Sequence, residues 1–283
     1  MNRYIVLVLL SICCLALGGI FVKLSQFPPI TTGMYRVLFS LPIFFLLTKA
    51  NKQEYRMNNK EKLIAICAGI FLALDLILWN ISFSYTTVAN ANLLANLVPF
   101  TVVPISYFVY KEKISKEFIL GGSIILLGVF ILMGGKVNPT LDNFKGDGLA
   151  ILTSVFYGLF IATVYKLRTR ASTIQLMSYA SIGCLLVLLP VSLLIEGVYI
   201  PYTFKDFYPL IGLALLSQIL GQGGLSYCLG KVKASYASLL VLTQPVISAL
   251  YAYFIFDENL SYKEILGMFV ILMGLYIANK RNK

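Results

Sequence analysis

The chain has 283 residues, of which 59% are hydrophobic and only 12% are charged, and its mean hydropathy is +0.84. A soluble domain carries about 25% charged residues, so this chain cannot cover a globular surface with polar groups. The composition excludes a cytosolic enzyme, a disulfide-stapled secreted protein and a disordered chain, and it indicates that most of the molecule faces lipid.

In chain order, the sequence contains ten apolar segments that are long enough, or nearly so, to cross a bilayer, which needs about 20 residues. They are residues 4–23, 33–48, 63–83, 88–109, 118–133, 146–165, 174–195, 207–229, 235–256 and 265–278. The connectors are short, so we expect no soluble domain. The first segment also resembles a secretory signal, but we favour a membrane helix because the repeat described below needs it as the partner of the sixth segment.

The net charge of +11 comes from 23 Lys and Arg against 12 Asp and Glu, and the basic residues cluster between the apolar segments. If all ten segments cross the membrane, 17 of the 23 basic residues fall on one side. Cytoplasmic loops are enriched in Lys and Arg, so we expect a multi-pass protein of the cell (inner) membrane with both termini in the cytoplasm. Nucleic-acid binding would instead need the basic residues on one solvated face.

The second half of the sequence repeats the first at an offset of 146 residues. Over 41 aligned positions without a gap, starting at Ala91, 15 residues are identical. The matched pairs include Pro99 and Pro245, Glu112 and Glu258, Ser115 and Ser261, Gly121 and Gly267, and Gly128 and Gly274. Each copy holds five segments, an odd number, so the second copy enters the membrane from the opposite face. Such inverted repeats are typical of secondary transporters.

The two copies are most similar from the fourth to the fifth segment of each. The first copy reads LVPFTVVPISYFVYKEKISKEFILGGSIILLGVFI, and the second reads LTQPVISALYAYFIFDENLSYKEILGMFVILMGLYI. Both contain a proline, an acidic residue at the helix end, a serine and then two glycines seven residues apart. This pattern resembles the EamA signature of the drug/metabolite transporter superfamily, and Arg36 near the start of the second segment also fits that family.

The resemblance covers nearly the whole chain. It implies an all-α polytopic membrane protein with ten transmembrane helices, arranged as two inverted-topology five-helix repeats at residues 1–135 and 146–280. It also implies transport, because the family is known for exporters of amino acids and metabolites, with a few importers and exchangers. Asp75 in the third segment departs from the general family pattern.

Asp75 is the one acidic residue deep inside an apolar segment. A charge at membrane depth costs at least about 2.5–3.5 kcal/mol on insertion scales, so such a residue is a functional candidate. Trp79, the only tryptophan of the chain, follows one helical turn later. A carboxylate beside an indole face can bind an ammonium group through charge and cation–π attraction. The alternative is a protonated Asp75 that hydrogen-bonds a neighbouring helix, and the sequence leaves both interpretations open.

Further polar residues fall at a similar level of the predicted helices. Through the repeat, Asp75 corresponds to Gly221, the neighbour of Gln222, so both halves carry polar groups near the midplane, where transporters bind their substrates. The candidate substrate-binding residues are Asp75, Trp79, Asn92, Asn96, Tyr157, Tyr179, Gln218, Gln222, Tyr236 and Gln244. The two asparagines and the first two glutamines have i,i+4 spacing and so share a helix face. The alternative for each single residue is an interhelical hydrogen bond.

The other charged residues near the segment ends are interpreted as structural. Lys23 and Arg36 have long side chains that can reach the membrane interface from within a segment. Glu112 and Glu258, the matched acidic pair, are expected to cap helices or to hold loop amides. Glycines recur on the fifth and tenth segments, where small residues allow close helix contact within the fold or across a dimer.

The sequence thus predicts a secondary active transporter that moves a small polar metabolite by alternating access. An amino acid or another amine-bearing solute is the favoured substrate, and export is the favoured direction. No nucleotide-binding, zinc-binding or nucleophile motif occurs, so we expect neither an enzyme nor a cofactor.

The expected partners are the solute and the lipid bilayer, with no nucleic acid, and the protein is expected to be a monomer or a homodimer. Protons are the candidate coupling ion, and Asp75 would carry them because the chain has no histidine. Two alternatives stay open: uptake or exchange of a nucleotide-like or cofactor metabolite, and a membrane protein that does not transport.

Overall fold

A computed structural model of the chain describes residues 3–50, 56–82, 85–86, 94–132, 141–257 and 260–279. All regular secondary structure in these ranges is helical, with no strand among them. Asn92, one of the candidate binding residues, and Glu258 lie outside the described residues.

The helices of the first half are α1 (Arg3–Leu24), α2 (Pro29–Ala50), α3 (Asn59–Ser82), α4 (Pro99–Phe108) and α5 (Lys116–Leu132). Those of the second half are α6 (Leu141–Leu167), α7 (Thr173–Ile195), α8 (Phe204–Gly212), a π-helix (Leu213–Gly223), α9 (Gly224–Leu229), α10 (Ala234–Val241), α11 (Gln244–Phe256) and α12 (Tyr262–Asn279). The π-helix joins α8 and α9 into one span, Phe204–Leu229, and α10 with α11 forms another, Ala234–Ile255.

Seven helical spans in the described part of the chain are long and apolar enough to cross a membrane. They are α1, α2, α3, α7, the Phe144–Leu167 part of α6, and the spans Phe204–Leu229 and Ala234–Ile255. Helix α4 is apolar but has only 10 residues, and α5 has 17. Each of the ten predicted apolar segments overlaps a helix. The predicted all-helical architecture is therefore confirmed, and the spans indicate a multi-pass membrane protein.

The outside of the helix bundle carries many large apolar side chains. Leu194 is 85% exposed and Phe254 74%. Soluble proteins rarely expose large contiguous apolar patches, so this surface suits contact with lipid tails.

Two clusters of buried apolar side chains make up the interior. The first includes Leu72, Phe160 and Met177 and lies among α2, α3, α6 and α7. The second includes Ile12 and Ile125 and lies among α1, α5 and α9 to α12. The ring of Tyr157 packs against both clusters. The boundary between the clusters therefore runs past this tyrosine.

Helices α5 and α12 pack against each other through glycines. A Cβ added to Gly128 would lie 2.7 Å from the backbone nitrogen of Ile271, and one added to Gly274 would lie 2.7 Å from the backbone nitrogen of Ile125. Gly121, earlier in α5, faces Gly274, later in α12, so the two helices run antiparallel. The predicted close contact at these glycines therefore occurs within the fold.

A second close contact joins α3 and α7. A Cβ on Gly69 would collide with the backbone carbonyl of Ala180, and one on Gly183 would collide with the backbone carbonyl of Ile66. Because both obstacles are main-chain atoms, no side-chain rotation can relieve the collision. Glycine at these positions therefore sets how closely the two helices approach.

Two buried or half-buried glutamates cap helices that are distant in sequence. The carboxylate of Glu112 accepts hydrogen bonds from the backbone N–H groups of Ala234 (3.1 Å) and Ser235 (3.3 Å) and from the Ser235 hydroxyl, at the start of α10. Glu196 does the same at the start of α2, where it accepts from Ile30 N (2.9 Å) and Thr31 N (2.6 Å). These N–H groups have no partner inside their own helix. The predicted capping role of Glu112 is confirmed.

We expect Gly69→Ala to lower the melting temperature of the protein in detergent. The added methyl group must push α3 away from the α7 backbone, and overpacking of this kind costs about 1–3 kcal/mol. Gly148→Ala is the matched control, since no atom lies within 4 Å of a Cβ at that position. Equal melting temperatures for the two variants would contradict the packing role assigned to Gly69.

We also expect Glu112→Gln to lower the melting temperature. Glutamine keeps one acceptor oxygen but turns an NH₂ group toward the N–H donors at the start of α10, and loss of a helix cap costs about 0.5–2 kcal/mol. Glu264→Gln is the control, because the hydrogen bond of Glu264 with Ser261 at its own helix start is solvent-exposed and belongs to a capping box that accepts Gln equally well. A control variant as unstable as Glu112→Gln would argue against the cap.

Candidate functional site

A cavity of about 130 Å³ lies inside the helix bundle. Its walls come from α1, α2, α3, α6, α10, α11, the π-helix and the segment before α4. The apolar part of the wall includes Leu15, Leu72, Leu76, Val98 and Leu213. A single water needs about 10–15 Å³ of such space. The cavity therefore has room for several waters or for one small organic solute.

The cavity lies toward one end of the bundle. Its residues come from the second half of α1, the first turns of α2 and the second half of α3. The end of α3 and the start of α2 meet there, since Asn80 Nδ2 donates to the carbonyl of Pro29 at 3.4 Å. At the opposite end, the hydroxyls of Thr48 and Ser178 lie 3.1 Å apart, and Glu112 caps α10. At that second end, helices contact each other directly through these groups.

Six of the ten predicted binding residues line this cavity. They are Asp75, Trp79, Asn96, Tyr157, Gln222 and Gln244. Gln218 is fully buried and contacts a side chain of the cavity wall. The structure therefore brings together residues from five separated stretches of the sequence.

Tyr179 and Tyr236 do not line the cavity, and their interpretation as cavity residues needs correction. The ring centroid of Tyr179 lies 5.6 Å from Nζ of Lys62, near the start of α3. Tyr236 is buried in the second core cluster, in the first turn of α10 that Glu112 caps. Both tyrosines therefore belong to the opposite end of the bundle, and a sequence does not show toward which end a cavity lies.

Arg36 lines the cavity, although the sequence suggested a structural role near the membrane interface. Helix α2 begins at Pro29, so Arg36 lies two turns inside it rather than at its first residues. Its Nε donates a hydrogen bond to Oε1 of Gln218 at 2.8 Å. One signal in the sequence pointed to this residue, namely that it is a basic residue inside an apolar segment instead of a loop cluster.

The Asp75 carboxylate faces the cavity from α3. Among the described residues it makes no hydrogen bond and no ion pair within 4.0 Å. The interhelical hydrogen bond that the sequence left open as an alternative is therefore not found in the described part of the chain. Trp79 follows one turn later on the same wall, and Arg36 of α2 lines the same cavity.

Gln218 and Gln222 lie on the π-helix rather than on the predicted α-helical face. Gln218 accepts from Arg36 of α2, whereas Oε1 of Gln222 accepts from the hydroxyl of Tyr157 on α6 at 3.3 Å. The Nε2 atoms of both glutamines are buried and have no partner among the described residues. Helix α1 packs directly on this segment, because a Cβ on Gly221 would lie 2.9 Å from the backbone nitrogen of Leu15. Irregular π geometry is frequent at functional sites.

The site presents opposite charges, an indole and several amide groups around a small space. In the described part of the chain, no group of three or more His, Cys, Asp or Glu residues could hold a metal ion. The arrangement offers binding contacts on several helices, which is what a transport site needs.

Comparisons with known proteins agree with this architecture. An uncharacterized transporter of Archaeoglobus fulgidus is 24% identical over 290 residues, covering 99% of this chain and all of that protein. A probable amino-acid metabolite efflux pump of Salmonella typhimurium is 24% identical over 196 residues, or 66% of each chain. A crystal structure with 16% sequence identity superposes with a TM-score of 0.83 over 98% of both chains, which shows the fold alone.

The profile of the EamA-like transporter family matches the chain twice, at residues 2–134 and 144–280. The two matches cover nearly the whole sequence, and they contain the repeated motif from which the resemblance was first inferred. The chain belongs to the EamA-like transporter family.

Proposed function

We propose that this protein is a secondary active transporter that moves a small amine-bearing metabolite, foremost an amino acid, through the cavity by alternating access. The observation that carries the proposal is Asp75, whose carboxylate faces the cavity without a hydrogen bond or ion pair to any described residue. An ionisable group at membrane depth is costly and is typically retained for a substrate or a proton. Trp79 beside it adds an aromatic face for an ammonium group.

The proposed topology is ten crossings in two inverted repeats, at residues 1–135 and 146–280. Helices α5 and α12 are equivalent under the 146-residue offset, and they pack antiparallel through the equivalent glycines Gly121, Gly128, Gly267 and Gly274. Antiparallel packing of equivalent helices is what two halves of opposite orientation require. The packing supports this topology, and two such halves can exchange an inward-open for an outward-open arrangement.

The proposed location is the cell membrane with both termini in the cytoplasm. The support is the clustering of 17 of the 23 basic residues in the loops that would then be cytoplasmic. In this orientation, the end of the bundle where α1 ends and α2 begins faces outward. The cavity lies toward that end, and the end with the contacts of Thr48, Ser178 and Glu112 faces the cytoplasm.

The solute class rests on charge and size. Drug-sized ligands occupy pockets of about 300–1,000 Å³, whereas this cavity measures about 130 Å³. An amino acid therefore suits it better than a nucleotide-like or cofactor metabolite. The Salmonella typhimurium relative, a probable amino-acid metabolite efflux pump, supports both the solute class and export as the direction.

Protons are the proposed coupling ion, with Asp75 as their carrier. The chain contains no histidine, and Asp75 is the one acidic residue among the described residues of the cavity wall. A carboxylate that binds either a proton or the solute's ammonium group would couple the two movements in opposite directions.

We expect Asp75→Asn to abolish amino-acid transport driven by a pH gradient in proteoliposomes. Asparagine has nearly the same shape but can neither pair with an ammonium group nor carry a proton. Loss of a charged hydrogen-bonding partner weakens binding by at least about tenfold.

The matched control is Asp257→Asn. Asp257 is exposed and has a φ of 53°, a conformation that asparagine also tolerates. This variant should transport like the wild type. Transport and pH dependence that stay unchanged in Asp75→Asn would refute the proposed role of Asp75.

A further inference from the structure

Arg36 gives the cavity a second charged group, opposite in sign to Asp75. Its Nε is held by Gln218 Oε1 at 2.8 Å. Among the described residues, the guanidinium makes no other hydrogen bond and no ion pair within 4.0 Å. A guanidinium has five N–H donors in a planar fork, so the Nη groups keep their donors for another partner.

Gln218 restrains the orientation of the Arg36 guanidinium. The glutamine is fully buried on the π-helix, and its acceptor oxygen is used by Arg36. Tying Nε to a buried group on a neighbouring helix restrains the plane of the fork. The two Nη groups form the edge that binds carboxylates with two parallel hydrogen bonds.

Arg36 and Asp75 do not neutralise each other directly. Both line the cavity, yet the two groups form no salt bridge within 4.0 Å. Opposite charges taken out of water are stabilised when they pair closely. Two such charges kept apart on the wall of one cavity suit a ligand that carries both complementary charges.

We infer that Arg36 binds the carboxylate of the transported solute, with Gln218 as its positioning residue, so that the cavity selects a zwitterion over a simple amine. The ammonium group lies at Asp75 and Trp79 on α3, and the carboxylate lies at Arg36 on α2. The apolar wall at residues such as Leu72 takes the side chain of the solute. This inference rests on the proposed function.

The test is equilibrium binding to the purified full chain in detergent, with three matched pairs of labelled probes. Alanine, leucine and phenylalanine are compared with ethylamine, isopentylamine and phenethylamine, which lack only the carboxylate. We expect the wild type to bind at least one amino acid about tenfold or more tightly than its amine, as a charge-assisted hydrogen bond implies. Arg36→Gln should remove this preference and leave amine binding unchanged, which also shows that the variant is folded.

Gln218→Glu separates binding from a purely structural role of Arg36. The substitution places a carboxylate against Arg36 Nε with almost no change in shape, so the internal carboxylate competes with that of the solute. We expect the preference for the amino acid to fall while the melting temperature is maintained. If Arg36 only held the π-helix in place, this variant would keep the full preference. Gln175→Glu, at the start of α7 beside its cap Ser172, is the control and should bind like the wild type.

The outcomes distinguish the two proposals. A wild type that binds none of the six probes overturns the proposed function. A wild type that binds an amino acid no better than its amine overturns only the role of Arg36, and so does an Arg36→Gln variant that keeps the preference.

Discussion

The cost of keeping a charge away from water governs where the charged side chains of this protein lie. Most basic residues fall between the apolar segments of the sequence, where their charges can stay in contact with water. Glu112 and Glu196 are carried into the fold, but each meets backbone N–H groups at the start of a helix, which replace the lost water. Arg36 and Asp75 differ from these, since each keeps hydrogen-bonding capacity toward a shared cavity. Both groups therefore stay available to water or to a solute that enters the cavity.

The helix bundle combines close packing at glycines with a cavity between helices. Glycines let α5 approach α12 and let α3 approach α7 at backbone distance. These contacts hold the bundle without the driving force that water gives to a soluble core, because lipid tails are as apolar as the side chains. Around the cavity, close packing at residues such as Gly221 is combined with polar contacts, which join Arg36 to Gln218 and Tyr157 to Gln222. Such contacts can be exchanged one for another when helices move.

Much of the fold could be predicted from the sequence because hydrophobicity and repetition are local properties of a chain. The helical segments, the family and the position of Asp75 and Trp79 on one wall of a cavity all followed from them. Arg36 was misjudged because its depth depends on where α2 begins, at Pro29. Tyr179 and Tyr236 were misplaced because the end at which the bundle opens is a tertiary property.

The π-helix changes how side chains are arranged along its segment, and this affects substitutions made there. Its hydrogen bonds run from residue i to i+5 rather than i+4, so each turn holds more residues than an α-helical turn. A helical wheel drawn with 3.6 residues per turn therefore drifts out of phase with the real segment between Leu213 and Gly223. Gln218 and Gln222 both lie beside the cavity, but they bond to different helices, Gln218 to Arg36 of α2 and Gln222 to Tyr157 of α6. A substitution in this segment can therefore change contacts with two helices at once.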